Sequence, residues 1–99
     1  MNLGKMMKDL QKMQEKLQTE VETLEIEASA GGGAVTARMN GKKQLVSIRL
    51  APEAITPDDA GMMEDLILAA VNEAGRKVDA EIQRMTQGIA GGLKIPGMM

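Results

Sequence analysis

The sequence contains no cysteine, no histidine and no phenylalanine, tyrosine or tryptophan. Without cysteine there is no disulfide and no thiolate metal site. Without histidine the commonest general base and the commonest metal ligand are both missing. Without aromatics there is nothing to stack on bases, which argues against a reader of single strands or of RNA. Long apolar runs are lacking too. Leu66 to Val71 is the longest, far short of the roughly 20 residues a membrane span needs. The N-terminus scatters Lys and Asp where an export signal would carry an apolar stretch, so a cytoplasmic location is expected. No cofactor and no metal site are expected.

What is present is a 99-residue chain, long enough for one domain, with Leu, Ile, Val, Ala and ten Met to fill its core. A single core of this size is marginal, so self-association is expected to bury further apolar surface. Residues from about Asn2 to Glu25 read as one helix. Leu3, Leu10, Leu17 and Leu24 fall seven apart, with Met6 and Met13 three after two of them, which is a seam for packing along another helix. From Ile26 the period drops to two. Ile26, Ala28 and Ala30, then Val35, Ala37 and Met39, then Val46, Ile48 and Leu50 predict three short antiparallel strands. Gly31-Gly32-Gly33 reads as the first turn; it lacks the Lys-Ser/Thr and the following helix of a phosphate loop. Asn40-Gly41 predicts a two-residue type I′ hairpin. That would set Arg38 opposite Lys43 on the polar sheet face. A second helix is expected from Thr56-Pro57-Asp58-Asp59, Thr as cap and Pro in the first turn, to about Gln87 with Gly88 as its stop. Residues 1–90 then form one domain and 91–99 a flexible tail. The expected class is α+β, in the order α-β-β-β-α, with two long antiparallel helices and a small three-stranded antiparallel sheet. The sheet region, with Val35, Val46 and Ile48, is the expected subunit interface.

The net charge of −2 and pI near 5.1 speak against nucleic acid only if read as totals. The charges segregate. Residues 1–18 hold Lys5, Lys8, Lys12 and Lys16 against Asp9 and Glu15. Residues 19–30 hold only acids, residues 31–51 hold only bases, and residues 52–65 again only acids. On a helix, the four Lys fall within roughly 80° of arc, with the apolar seam centred more than about 100° away. Lys near a helix N-terminus and Glu near its C-terminus both oppose the helix dipole, and this first helix does both. A negatively charged partner accounts for charges that stability alone would place the other way round. With the helices antiparallel, Arg76, Lys77 and Arg84 would extend the Lys patch along the same arm, while the acidic ends of the two helices would meet at its root. Arg38, Lys43 and Arg49 form a candidate second surface. The carboxylates Asp58, Asp59, Glu64 and Asp65 read as dipole-complementing surface charge rather than as a metal cluster. Asn72, among apolar residues, is either exposed or a buried register-setter.

Five stretches taken in order resemble one family. They are Lys5 to Lys16, Gly31-Gly32-Gly33 leading into Val35, Asn40-Gly41, Met63 to Ala74, and Gly91-Gly92-Leu93 with Ile95-Pro96-Gly97. Together they are similar to the YbaB/EbfC family of nucleoid-associated proteins over nearly the whole chain. Ala51 departs from it, where members often carry Asp before the Pro. The resemblance implies the α-β-β-β-α fold, a tweezer-shaped homodimer, and binding of double-stranded DNA in the bacterial nucleoid, with roles in its organisation and in gene regulation. No enzyme is expected, since no nucleophile and base pair can be named in the sequence. The residues assigned to DNA here rest on the charge pattern, and are Lys5, Lys8, Lys12 and Lys16 with Arg76, Lys77 and Arg84. The competing reading is a coiled-coil chaperone or protein-interaction adaptor, which the Met-rich seam also suits.

Overall fold

The computed structural model describes the backbone of residues 2–93 and the side chains of residues 2–87. The element order is helix α1 (Leu3–Thr23), strands β1 (Glu25–Ala30), β2 (Val35–Asn40) and β3 (Leu45–Leu50), two short 3₁₀ turns at Pro52–Ala54 and Pro57–Asp59, and helix α2 (Ala60–Leu93). The class and order are those expected from the sequence. Helix α1 starts where Asn2 caps it, the side-chain oxygen accepting from the Lys5 amide at 3.3 Å. Helix α2 follows a 3₁₀ turn at Pro57, with Thr56 ahead of it. It does not stop at Gly88 but runs through to Leu93, since a glycine inside a helix weakens it by only about 1 kcal/mol. Of the tail expected over 91–99, residues 91–93 are therefore helical and 94–99 lie outside the described residues.

The sheet is antiparallel in the order β1-β2-β3. Ala28 pairs with Ala37, and Ala37 with Ile48, so the alternating apolar residues share the face that lies on α2. The first turn holds Gly31, Gly32 and Gly33 at φ of 66°, 68° and 98°, a left-handed stretch suited to glycine. The second turn differs from the type I′ hairpin that Asn40-Gly41 suggests. The Lys43 amide donates to the Asn40 carbonyl, Lys43 itself takes the left-handed conformation at φ 61°, and the Asn40 amide closes on the Gln44 carbonyl. This is the three-residue loop built on a type I turn. The Asn40 side chain stabilises it by accepting from the amides of Lys42 and Gln44. A register shift near Met39 then pairs Arg38 with Ser47, so Arg38 and Lys43 are not cross-strand neighbours.

Gly41 is needed for space rather than for a positive φ. A Cβ there would overlap the carbonyl oxygen of Val21 and lie 2.8 Å from its carbonyl carbon. The second turn is thus pressed against the end of α1.

The core is small. Ala28, Val35, Ala37 and Met39 from the sheet meet Ala70, Ala74 and Val78 from α2, and these seven are the buried hydrophobics among the described residues. Val35, expected at a subunit interface, is instead completely enclosed within its own chain. Helix α2 lies under β1 and β2 and leaves β3 largely uncovered. Leu45 and Val46 on β3 are 47% and 50% exposed, and Leu68 on the α2 flank is 61% exposed. Asn72 is exposed on the single chain. The chain measures 69 × 25 × 16 Å with a radius of gyration of 19.1 Å, against about 13 Å for a compact chain of this length.

Candidate nucleic-acid interface

Helix α1 stands off the body. Every residue from Leu3 to Lys16 is exposed, and only Leu17 and Val21 are half-buried. Its seam is uncovered: Leu3, Met6, Leu10 and Met13 are 72%, 47%, 42% and 43% exposed. The opposite face carries Lys5, Lys8, Lys12 and Lys16, and none of the four has a carboxylate within 4.0 Å among the described residues. The first turn of α1 has no acidic residue and the last turn no basic one, so the dipole is uncompensated at both ends. What the arrangement can do is hold a row of unneutralised ammonium groups, about 5–6 Å apart along the axis, against a polyanion.

The other cations are placed differently. Arg76 donates to Glu73 at 2.8 Å, and Lys77 reaches across to the Glu27 carbonyl of β1 at 3.3 Å. Lys77 therefore lies beside the sheet rather than with the Lys5–Lys16 row, and Arg76 is engaged within its own helix. Arg84 pairs with Glu81, which pulls the Glu81 carboxyl below its ordinary range and raises the guanidinium; Glu20 of α1 adds to the latter. The acidic end of α1 thus faces Arg84. The acidic start of α2 sits at the far end of the sheet, where Leu66 underlies Gly31. The expected meeting of two acidic ends does not occur, and the helices still run in opposite senses along the long axis.

The candidate second surface is also divided. Arg38 and Arg49 lie on the outer face of the sheet, and Lys43 lies on the side toward α2, where it bonds Asp79 at 3.1 Å. Arg38 is held by Glu27 at 2.6 Å with Glu25 at 3.6 Å. The hydrogen bond and charge of Arg38 lower the Glu27 carboxyl below its usual range, and Glu27 raises Arg38 in return. Sequence reasoning does not find these pairings, because Glu27–Arg38 needs the β1–β2 register and Lys43–Asp79 spans two elements. Asp58, Asp59, Glu64 and Asp65 do not converge: among the described residues no three carboxylates are grouped to hold a metal ion. Nor is any described helix long and apolar enough to cross a membrane.

Comparison with known proteins agrees with this geometry. Residues 1–93 match the YbaB/EbfC DNA-binding family. A nucleoid-associated protein of Alkaliphilus metalliredigens is 47% identical over 98% of this chain and 88% of its own length. One from Clostridium novyi is 48% identical over 99% of this chain and 89% of its own. An uncharacterised protein of Helicobacter pylori has a crystal structure that shares the fold, with a TM-score of 0.69 at 18% identity, covering 90% of this chain and 97% of that one. With an uncovered lysine-faced arm on an α-β-β-β-α body and a family match over residues 1–93, this chain belongs to the YbaB/EbfC DNA-binding family.

Proposed function

We propose that the chain binds double-stranded DNA as a homodimer, chiefly through phosphate contacts from Lys5, Lys8, Lys12 and Lys16, and contributes in the bacterial cytoplasm to nucleoid organisation and gene regulation. The observation that carries this is the contrast among cations. Arg38, Lys43, Arg76 and Arg84 all have carboxylate partners; Lys42, Arg49 and Lys77 have none among the described residues but lie scattered over the body, while the four lysines of α1 have none and form a row along one helix. Free lysines on a projecting arm are available to phosphate without first breaking an ion pair. The same face offers no Arg, Asn or Gln to reach base edges, so sequence preference comes from DNA shape rather than from a base code. The dimer is supported by the seven-residue core, the open β3 edge and the exposed Leu45, Val46 and Leu68, which form an apolar surface that a second copy would cover. The seam of α1 packs against a helix of that second copy.

The uncovered Leu/Met seam also favours the second reading, a chaperone or adaptor. Gel retardation of duplex DNA at low and moderate salt separates the two. Retardation that weakens steeply with salt is the expected result. A chain that retards no duplex at low salt, yet suppresses aggregation of an unfolded client, would replace the first reading with the second.

A further inference from the structure

With cysteine, histidine and the aromatics all absent, the thioethers of the ten methionines are the readily oxidised side chains of this protein. The fold sorts them. Met39 is 5% exposed beneath the sheet, and Met63 and Met85 are half-buried. Met6, Met7 and Met13 on α1 are 47%, 69% and 43% exposed, and Met62 on α2 is 53% exposed. Met6 and Met13 are one heptad apart in the uncovered seam, between Leu3, Leu10 and Leu17. The lysine face is centred about 100° round the helix from them.

We propose that Met6 and Met13, with Met7 beside them, are an oxidation site through which hydroperoxides weaken self-association and, by that route, DNA binding. The inference rests on the reading that the seam packs against a second copy. In the reaction the thioether sulfur attacks a peroxide oxygen. The O–O bond breaks, an S=O bond forms, and the remainder leaves as water or an alcohol carrying the proton. Sulfur loses two electrons and the peroxide gains them. The product is uncharged, but it places a strong hydrogen-bond acceptor in a seam where Leu3, Leu10 and Leu17 have no side-chain donor to offer. The lysine charges are untouched. The loss falls on helix packing, and through it on the gain from two arms acting together. The seam is open whenever the copies separate, so oxidation captures the separated state. A methionine sulfoxide reductase reverses it.

The test treats the full chain with graded hydrogen peroxide and maps sulfoxides by peptide mass spectrometry. Sedimentation and duplex-DNA affinity are followed before oxidation, after it, and after reductase treatment. The triple variant M6L/M7L/M13L, which keeps side-chain volume, runs in parallel. The expected result is sulfoxide at Met6, Met7, Met13 and Met62 ahead of Met39, a loss of about tenfold in DNA affinity with a shift toward monomer, recovery with reductase, and no loss in the triple variant. Parent protein carrying sulfoxide at Met6 and Met13 that still dimerises and binds as before overturns the proposal, as does a triple variant that loses as much as the parent. Untreated protein that fails to bind duplex overturns the DNA-binding reading instead, and sedimentation then decides the oxidation site by itself.

Discussion

At the scale of single residues, Gly41 shows what a dipeptide signal conveys and what it leaves out. Asn40-Gly41 marks the turn correctly, but the left-handed residue is Lys43, and Gly41 is there because the Val21 carbonyl leaves no room for a Cβ. Packing against a helix about twenty residues earlier is not encoded in the turn itself. Changing Gly41 to Ala should therefore cost about 1–3 kcal/mol, as overpacking does, and should lower the melting temperature in a calorimetric scan while the strands still form. A variant as stable as the parent would show that the turn packs loosely on α1. The titratable residues make a second forecast. With no His and no Cys, no side chain changes charge near neutrality, so DNA affinity should be flat between about pH 5.5 and 7. Glu27 and Glu81 have depressed folded-state values, so whatever stability they add is fully present above the ordinary carboxylate range and is lost as pH falls through their lowered values. Glu27 is exposed and Glu81 half-buried beside an exposed Arg84, so solvent screens both pairs and the acid limb of a stability profile should show only a shallow contribution from E27Q or E81Q.

At the scale of elements, the heptad spacing of Leu3, Leu10 and Leu17 is enough to place α1, and alternation is enough to place the strands. Helix ends and charge partners are less legible. Gly88 carries the usual stop signal, yet α2 continues through it. Antiparallel helices would let Arg76 and Lys77 extend the lysine row, but Lys77 turns to the Glu27 carbonyl of β1 and Arg76 pairs with Glu73. Periodicity gives a residue's angle on its helix, not its position along a neighbour. On the proposed function the elements are unequal as DNA-binding surfaces. Reversing Lys77 and Arg84 to Glu should reduce duplex affinity less than changing Lys8 and Lys12 to Ala, measured by fluorescence anisotropy at one salt concentration. The opposite order would move the site from α1 to α2.

At the scale of the whole molecule, the chain is elongated, its described residues form a seven-residue core, and two apolar surfaces stay uncovered, which supports the proposed dimer. Sedimentation at micromolar concentration should show a dimer, and L68E should shift it toward monomer by burying an unpaired charge where the copies meet. A parent that sediments only as monomer would remove the dimer from the account. Composition points to this need, but not to which surface stays open, because that depends on α2 passing under β1 and β2 and missing β3. Net charge misleads in the same way: the total is acidic, while four unpaired lysines line one face of α1. The most direct measurement is duplex affinity against salt concentration for the parent and for K5A/K8A/K12A/K16A, whose apolar seam and fold are untouched. The account predicts weaker binding across all duplex sequences and a log–log slope shallower by about one unit for each phosphate that the variant no longer neutralises. A quadruple variant with the parent's affinity and slope would contradict it.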